Sequence, residues 1–331
     1  IRLIGIPYSI DNNRDTVYIS LNSGLLVCST SSGLMKASIS HMAGANDIRR
    51  LPGFSKVMQA SGKNDDKIFI IFSNLIPLLK KGLTEDYFST RNVAKLTEYA
   101  VADIYFNQNG LVLSGYTEST DSTQILYKYK SGTASAFETY KILPSTTMLF
   151  ESVIPLAGKS SIVPPQPLRT ATVELAQKLK EYMGDEITRA YIDLKDGSGN
   201  TGSVIIYELT NRVYAEKIFL DYFGQKENKG TISYFNPDDQ INIPVYQTVF
   251  KGLVSLLAPG FSIDFDDSYF TFYDNYLITG NSDIALSKVL YDNLLKKTLA
   301  NDLIYREFES TLPSVSGYFF YCVPSQIIEY L

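Results

Sequence analysis

The chain has 331 residues, 45% apolar and 20% charged, with 30 Lys and Arg against 35 Asp and Glu and a single His. That balance is globular rather than disordered, and the length suits two domains better than one core. A formal charge of −5 without any basic block argues against a phosphate-tracking surface and a nucleic-acid partner, and one His rules out any site that needs two.

No stretch approaches the ~20 apolar residues that cross a bilayer. Ile1 stands where Met would open a gene product, so the chain reads as processed or cut, with any targeting segment upstream. Tyr (24) and Phe (18) are abundant and Trp is absent, a usage that suits half-buried strands.

The first predicted element is a hairpin over Ile19 to Cys28, reversing at Asn22-Ser23-Gly24, residues that tolerate the positive φ of a tight turn. A helix follows from Ser31, whose hydroxyl can cap the first free amides, and ends after His41 and before Gly44. Phe54 then opens a short link to a strand ending in Phe72 to Leu79. A second hairpin spans Tyr105 to Ser114 around Asn109-Gly110.

Leu143 to Val153 reads as the opening strand of a new module. A boundary near Leu143-Pro144 gives residues 1–142 as the C-terminal part of a first module and 143–331 as a second, incomplete at its C-terminus. The Pro-rich stretch Pro155 to Pro167 is the alternative boundary, and otherwise a loop within the second module.

Thr170 to Met183 has Leu175, Leu179 and Tyr182 on one helical face and Gly184 as C-cap. Glu186 to Leu194 and Ser203 to Leu209 read as strands joined by a turn over Asp196 to Gly202. Asn211 to Phe223 reads as a helix with Ala215, Ile218, Phe219 and Tyr222 inward and Gly224 closing it. The turn matches G-x-G-x-x-G literally at Gly197, Gly199 and Gly202. Dinucleotide binding needs such a loop to open a helix, whereas here a β-branched strand follows; it reads as a hairpin loop, and no cofactor is expected. Asp196, Ser198 and Asn200 alternate as calcium ligands do. The sixth loop position is Thr201 rather than Gly and the twelfth is Tyr207 rather than a carboxylate, so the metal match is partial.

Asp264, Asp266 and Asp267 form the densest carboxylate cluster. Phe261, Ile263 and Phe265 alternate with them, which makes the aspartates most simply the wet face of a strand. The alternative reading is a hydrolase of an envelope or dietary polymer, with Asp264 and Asp266 as acid and base.

A third hairpin spans Phe270 to Thr279 around Asp274-Asn275. A helix then starts at Ser282 with Leu286, Val289, Leu290 and Leu294 at helical spacing, followed by Phe308 and by Pro324 to Leu331. Ser31 and Ser282 lie 251 residues apart, Phe54 and Phe308 254, and Ser73 and Ser325 252; this ordered set reads as a duplicated module. Short turns join antiparallel neighbours, so the expected class is α+β, with antiparallel sheets and helices packed on one face. Cys28 and Cys322 do not make a disulfide framework; each reads as a small apolar residue in a strand, and pairing between them stays open. No G-x-S-x-G, H-E-x-x-H, C-x-x-C or P-loop pattern is present.

Two segments, Ile142 to Glu151 at a module start and Ala102 to Gly115 near a module end, carry a resemblance. The chain resembles an uncharacterised cell-envelope family of Bacteroidales-type bacteria whose members have a duplicated domain of unknown function. The resemblance implies a lipoprotein-like export signal upstream and residence in the periplasm, the outer membrane or the cell surface. It also implies membrane contact only through an upstream lipid anchor, and more chain beyond Leu331. It brings no family active site. The expected function is a non-enzymatic binding or scaffold module that meets a protein or glycan through exposed Tyr or Phe. A small-molecule site would need a deep apolar cleft.

Overall fold

A computed structural model of the chain describes residues 2–10, 13–22, 24–44, 47–61, 66–79, 95–106, 111–124, 126–129, 133–154, 168–195, 200–247, 249–258, 269–323 and 326. The chain divides into two compact units, one drawn from residues 1–79 and 90–124, the other containing residues 125–331. Leu143-Pro144 therefore falls inside the second unit, where Ile142 and Leu143 are core residues.

The first unit opens with three antiparallel strands, β1 (Arg2–Ile10), β2 (Asn13–Asn22) and β3 (Leu25–Ser29). Gly24 reverses the β2–β3 turn at φ 82, a conformation that costs an L side chain but not glycine. Helix α1 (Ser32–Ala43) starts as the sequence requires, with Ser31 Oγ accepting the Leu34 amide at 3.2 Å. It buries Met35, while His41 is exposed in the last turn. A 3-10 turn (Ile48–Arg50) leads into α2 (Pro52–Ala60), where Pro52 starts the helix without losing a needed amide. Phe54 is thus a helical residue rather than a link; with Val57, Val101 and Tyr99 it makes a small core. Strand β4 (Lys67–Ile71) ends where α3 (Phe72–Leu79) begins, so the segment read as a strand end is a helix. Strands β5 (Tyr99–Phe106) and β6 (Leu111–Glu118) complete a second three-stranded sheet in the order β4-β5-β6.

The second unit is built on eight antiparallel strands in the order β10-β11-β12-β13-β9-β8-β7-β14. These are β7 (Thr147–Val153), β8 (Met183–Asp193), β9 (Thr201–Leu209), β10 (Thr231–Phe235), β11 (Ile243–Gln247), β12 (Tyr269–Tyr273), β13 (Tyr276–Gly280) and β14 (Tyr318–Cys322). Its helices are α4 (Thr170–Lys180), α5 (Arg212–Phe223), α6 (Leu253–Leu257), α7 (Asp283–Leu294) and α8 (Leu303–Glu309). Helix α4 ends at Lys180, not at a Gly184 cap: Gly184 lies in β8, where a Cβ would come within 2.5 Å of the Glu208 carboxylate. Asn211 and Gly224 do bound α5, and Ser282 Oγ caps α7 through the Ala285 amide at 3.1 Å.

The class is α+β with antiparallel sheets. In the second unit, however, helices cover both faces of the sheet, where the short turns between antiparallel neighbours suggested one. Alternate residues of β9 part to opposite sides, since the pleat turns successive side chains to opposite faces. Ile205, Tyr207 and Leu209 join α4, α5 and α6 around Phe219, Phe270 and Phe272. Val204 and Ile206 join α7 and α8 around Leu286, Val289 and Tyr305. Each fully buried Leu or Phe in these layers contributes about 1.5–3 kcal/mol.

The two units share a run of elements at one displacement. Leu25 and Tyr276, Ser32 and Asp283, Ile48 and Leu299, Pro52 and Leu303, and Lys67 and Tyr318 open corresponding elements, each pair 251 residues apart. Phe54 then corresponds to Tyr305 rather than to Phe308, and both are buried. The hairpin registers agree as well: Ile19 opposes Cys28 as Phe270 opposes Thr279, and Leu21 opposes Leu26 as Phe272 opposes Leu277. Both cysteines are free, and Cys28 is exposed rather than packed.

Candidate functional site

The residues that the sequence singled out do not converge on one site within the described structure. Asp264, Asp266 and Asp267 lie outside the described residues, as do Asp196 and Ser198. Asn200 is exposed, its carbonyl accepting the Leu194 amide at 3.4 Å just before β9. The glycine-rich loop joins β8 to β9, which pair antiparallel through Asp193 and Thr201. Helix α5 begins only after β9, so the loop opens a strand rather than a helix. Among the described residues, no group of three His, Cys, Asp or Glu could hold a metal ion.

A cleft that the sequence did not mark forms where β7, β8 and β14 pass under α8 and the 3-10 turn Thr139–Lys141. Its lining includes Phe137, Tyr140, Glu186, Tyr305, Glu309 and Phe319. Glu186 stands at the start of the inward-facing series Glu186, Thr188, Ala190 and Ile192 on β8, and is 4% exposed. Its Oε2 accepts the amides of Glu138 at 2.7 Å and Thr139 at 3.1 Å, and Thr188 Oγ1 donates to Oε1 at 3.1 Å. Those amides open the 3-10 turn and have no partner within it, so Glu186 acts as their cap. Thr188 Oγ1 also lies 3.0 Å from Thr139 Oγ1 and 2.5 Å from Ser152 Oγ, tying the turn to β7 and β8. A carboxylate so engaged is structural rather than a proton shuttle.

The cleft walls are aromatic. Tyr140 and Tyr305 lie 5.6 Å apart between ring centroids, and Phe150 stacks on Phe319 at 5.4 Å. Burial, then the Glu309 charge, pushes both tyrosine phenols above their ordinary range, so each stays protonated and able to donate. Glu309 ends α8, half-buried, and among the described residues no cation pairs with it. The enclosed room is about 30 Å3, enough for a water molecule or the tip of one side chain. A substrate-sized pocket would need about 300–1,000 Å3. Aromatic faces beside an uncompensated carboxylate favour a cation. The sequence held one usable signal for this site: Glu186 begins the predicted strand as the one charge in an inward series that continues through Thr188, Ala190 and Ile192.

No family model, curated protein or solved structure matches the chain.

Proposed function

We propose that the chain is a non-enzymatic binding module of the cell envelope that engages a protein partner through a basic side chain placed in the cleft at Tyr140, Tyr305 and Glu309. One observation carries this reading: Glu309 sits beside two protonated phenols, without a described cation, over a cavity sized for a side-chain tip. The envelope location rests on the resemblance of Ile142 to Glu151 and Ala102 to Gly115 alone. A cation on aromatic faces contributes about 0.5–2 kcal/mol, so the cleft selects among partners rather than supplying their whole affinity.

The test is a screen of the chain against a randomised peptide array and a glycan array, alongside Glu309→Gln. Binding peptides enriched in Lys or Arg, lost with Glu309→Gln, support the reading. Enrichment of neutral glycans alone contradicts it. Hydrolysis of an envelope polysaccharide that disappears with Asp264→Asn or Asp266→Asn also contradicts it and favours the enzyme.

A further inference from the structure

The hairpin β2–β3 and its counterpart β12–β13 have one register but different surroundings. In the second unit the face holding Phe270, Phe272 and Leu277 is sealed by α4, α5 and α6. In the first unit the matching face holds Ile4, Ile6, Val17, Ile19, Leu21, Leu26 and Cys28, since cross-strand partners share a face. Leu21 is 67% and Leu26 66% exposed, and Ile4 and Ile6 are about half exposed. The opposite face is covered as its counterpart is: Ser20 is buried beneath α1, whose Met35 is buried with it, as Thr271 is beneath α7 with its Leu286. Among the described residues, each unit therefore has one such helical layer of its own, and the second layer is found in the second unit.

The strand edges tell the same story. In the second unit β9 lies between β13 and β8. The counterpart of β13 is β3, which ends its sheet. Strand β4 corresponds to β14, and each leads through an antiparallel neighbour, β5 or β7, to a third strand, β6 or β8. By place in the sheet, though not by chain order, β6 stands where β8 does, and it ends the other three-stranded sheet. Both strands that flank β9 have counterparts at sheet edges, and a sheet edge left beside an apolar face is a template for one more strand.

We infer that residues 18–71 and 269–322 are two copies of one module, and that a strand followed by an amphipathic helix, the counterpart of Thr201–Phe223, pairs with β3 and β6 and covers Leu21 and Leu26. The occupant is polypeptide joined upstream of Ile1. In the second unit β9 and α5 precede β11, the counterpart of β1, so the same order places the covering elements before β1. Its helix presents large apolar residues, as Phe219, Tyr222 and Phe223 do in α5.

Cys28 lies on the bare face and reports on its cover. The experiment compares iodoacetamide alkylation of Cys28 in the 331-residue chain with that in the natural open reading frame extended upstream of Ile1, with amide exchange of Leu25–Ser29 and Leu111–Glu118 measured in both. We expect alkylation at least about tenfold slower in the extended polypeptide, with both edge strands newly protected. Equal alkylation and exchange in the two overturns the inference, as does a reading frame that supplies no such segment. A 331-residue chain that sediments as a dimer with Cys28 already slow also overturns it, because a second copy is then the cover.

Discussion

Leu26 and Leu277 hold one register position in two hairpins, opposite Leu21 and Phe272, yet Leu26 is 66% exposed and Leu277 is completely buried. Backbone pairing fixes where each side chain points, and the elements stacked on the sheet decide what it is worth. The two leucines isolate burial from local structure more cleanly than a pair of unrelated positions can.

Truncation should separate them. Leu277→Ala opens a cavity among Phe219, Phe270 and Phe272 and should cost about 2–5 kcal/mol in denaturant unfolding. Leu26→Ala in the 331-residue chain removes contacts with water and should cost less than about 0.5 kcal/mol. Comparable losses at both positions would show that the first-unit face is covered.

Glu186 gives a second test. Glu186→Ala leaves the Glu138 and Thr139 amides facing the cleft without their acceptor, and should destabilise the second unit by about 1–3 kcal/mol. Thermal unfolding reads the loss. An unchanged midpoint would mean that water replaces the carboxylate at no cost, and that Glu186 is free for another role.

Much of the local structure was legible in the residues. Ser31, Asn211 and Ser282 cap helices because a hydroxyl or amide oxygen meets an amide three residues on, and Gly24 turns a hairpin because it accepts positive φ. These effects act over a few residues, within reach of a sequence pattern. Gly184 misled because a glycine after a helical stretch resembles a C-cap, while its small size in fact admits Glu208 across β8 and β9. The second helical layer was missed because an inward strand position looks the same whether one face or two are covered. Tyr140, Glu186 and the α8 pair Tyr305 and Glu309 come from three distant segments, and only the fold brings them to one cleft. The carboxylates of the alternative hydrolase reading, Asp264 and Asp266, stood out for their density along the chain, which says nothing about what faces them.

Buried tyrosines make the fold sensitive to alkali. Burial pushes the Tyr246 phenol up to about 12, against about 10 in an unfolded chain. The folded state then keeps a proton that the unfolded state releases, so the contribution is whole below pH ~10 and is lost as pH rises towards ~12. Denaturant midpoints should fall across that window, and less steeply in Tyr246→Phe. Equal slopes for the two proteins would place the alkaline loss at other groups.

The most direct measurement is a titration of the tightest Lys- or Arg-containing peptide from the array against wild type and Glu309→Gln. Tyrosine emission can follow it, since there is no Trp to obscure the signal. We expect Glu309→Gln to weaken binding about tenfold at low salt, with the gap narrowing as salt screens the charge. Equal affinities for the two proteins, or a gap indifferent to salt, would contradict a cationic side chain seated between Tyr140, Tyr305 and Glu309.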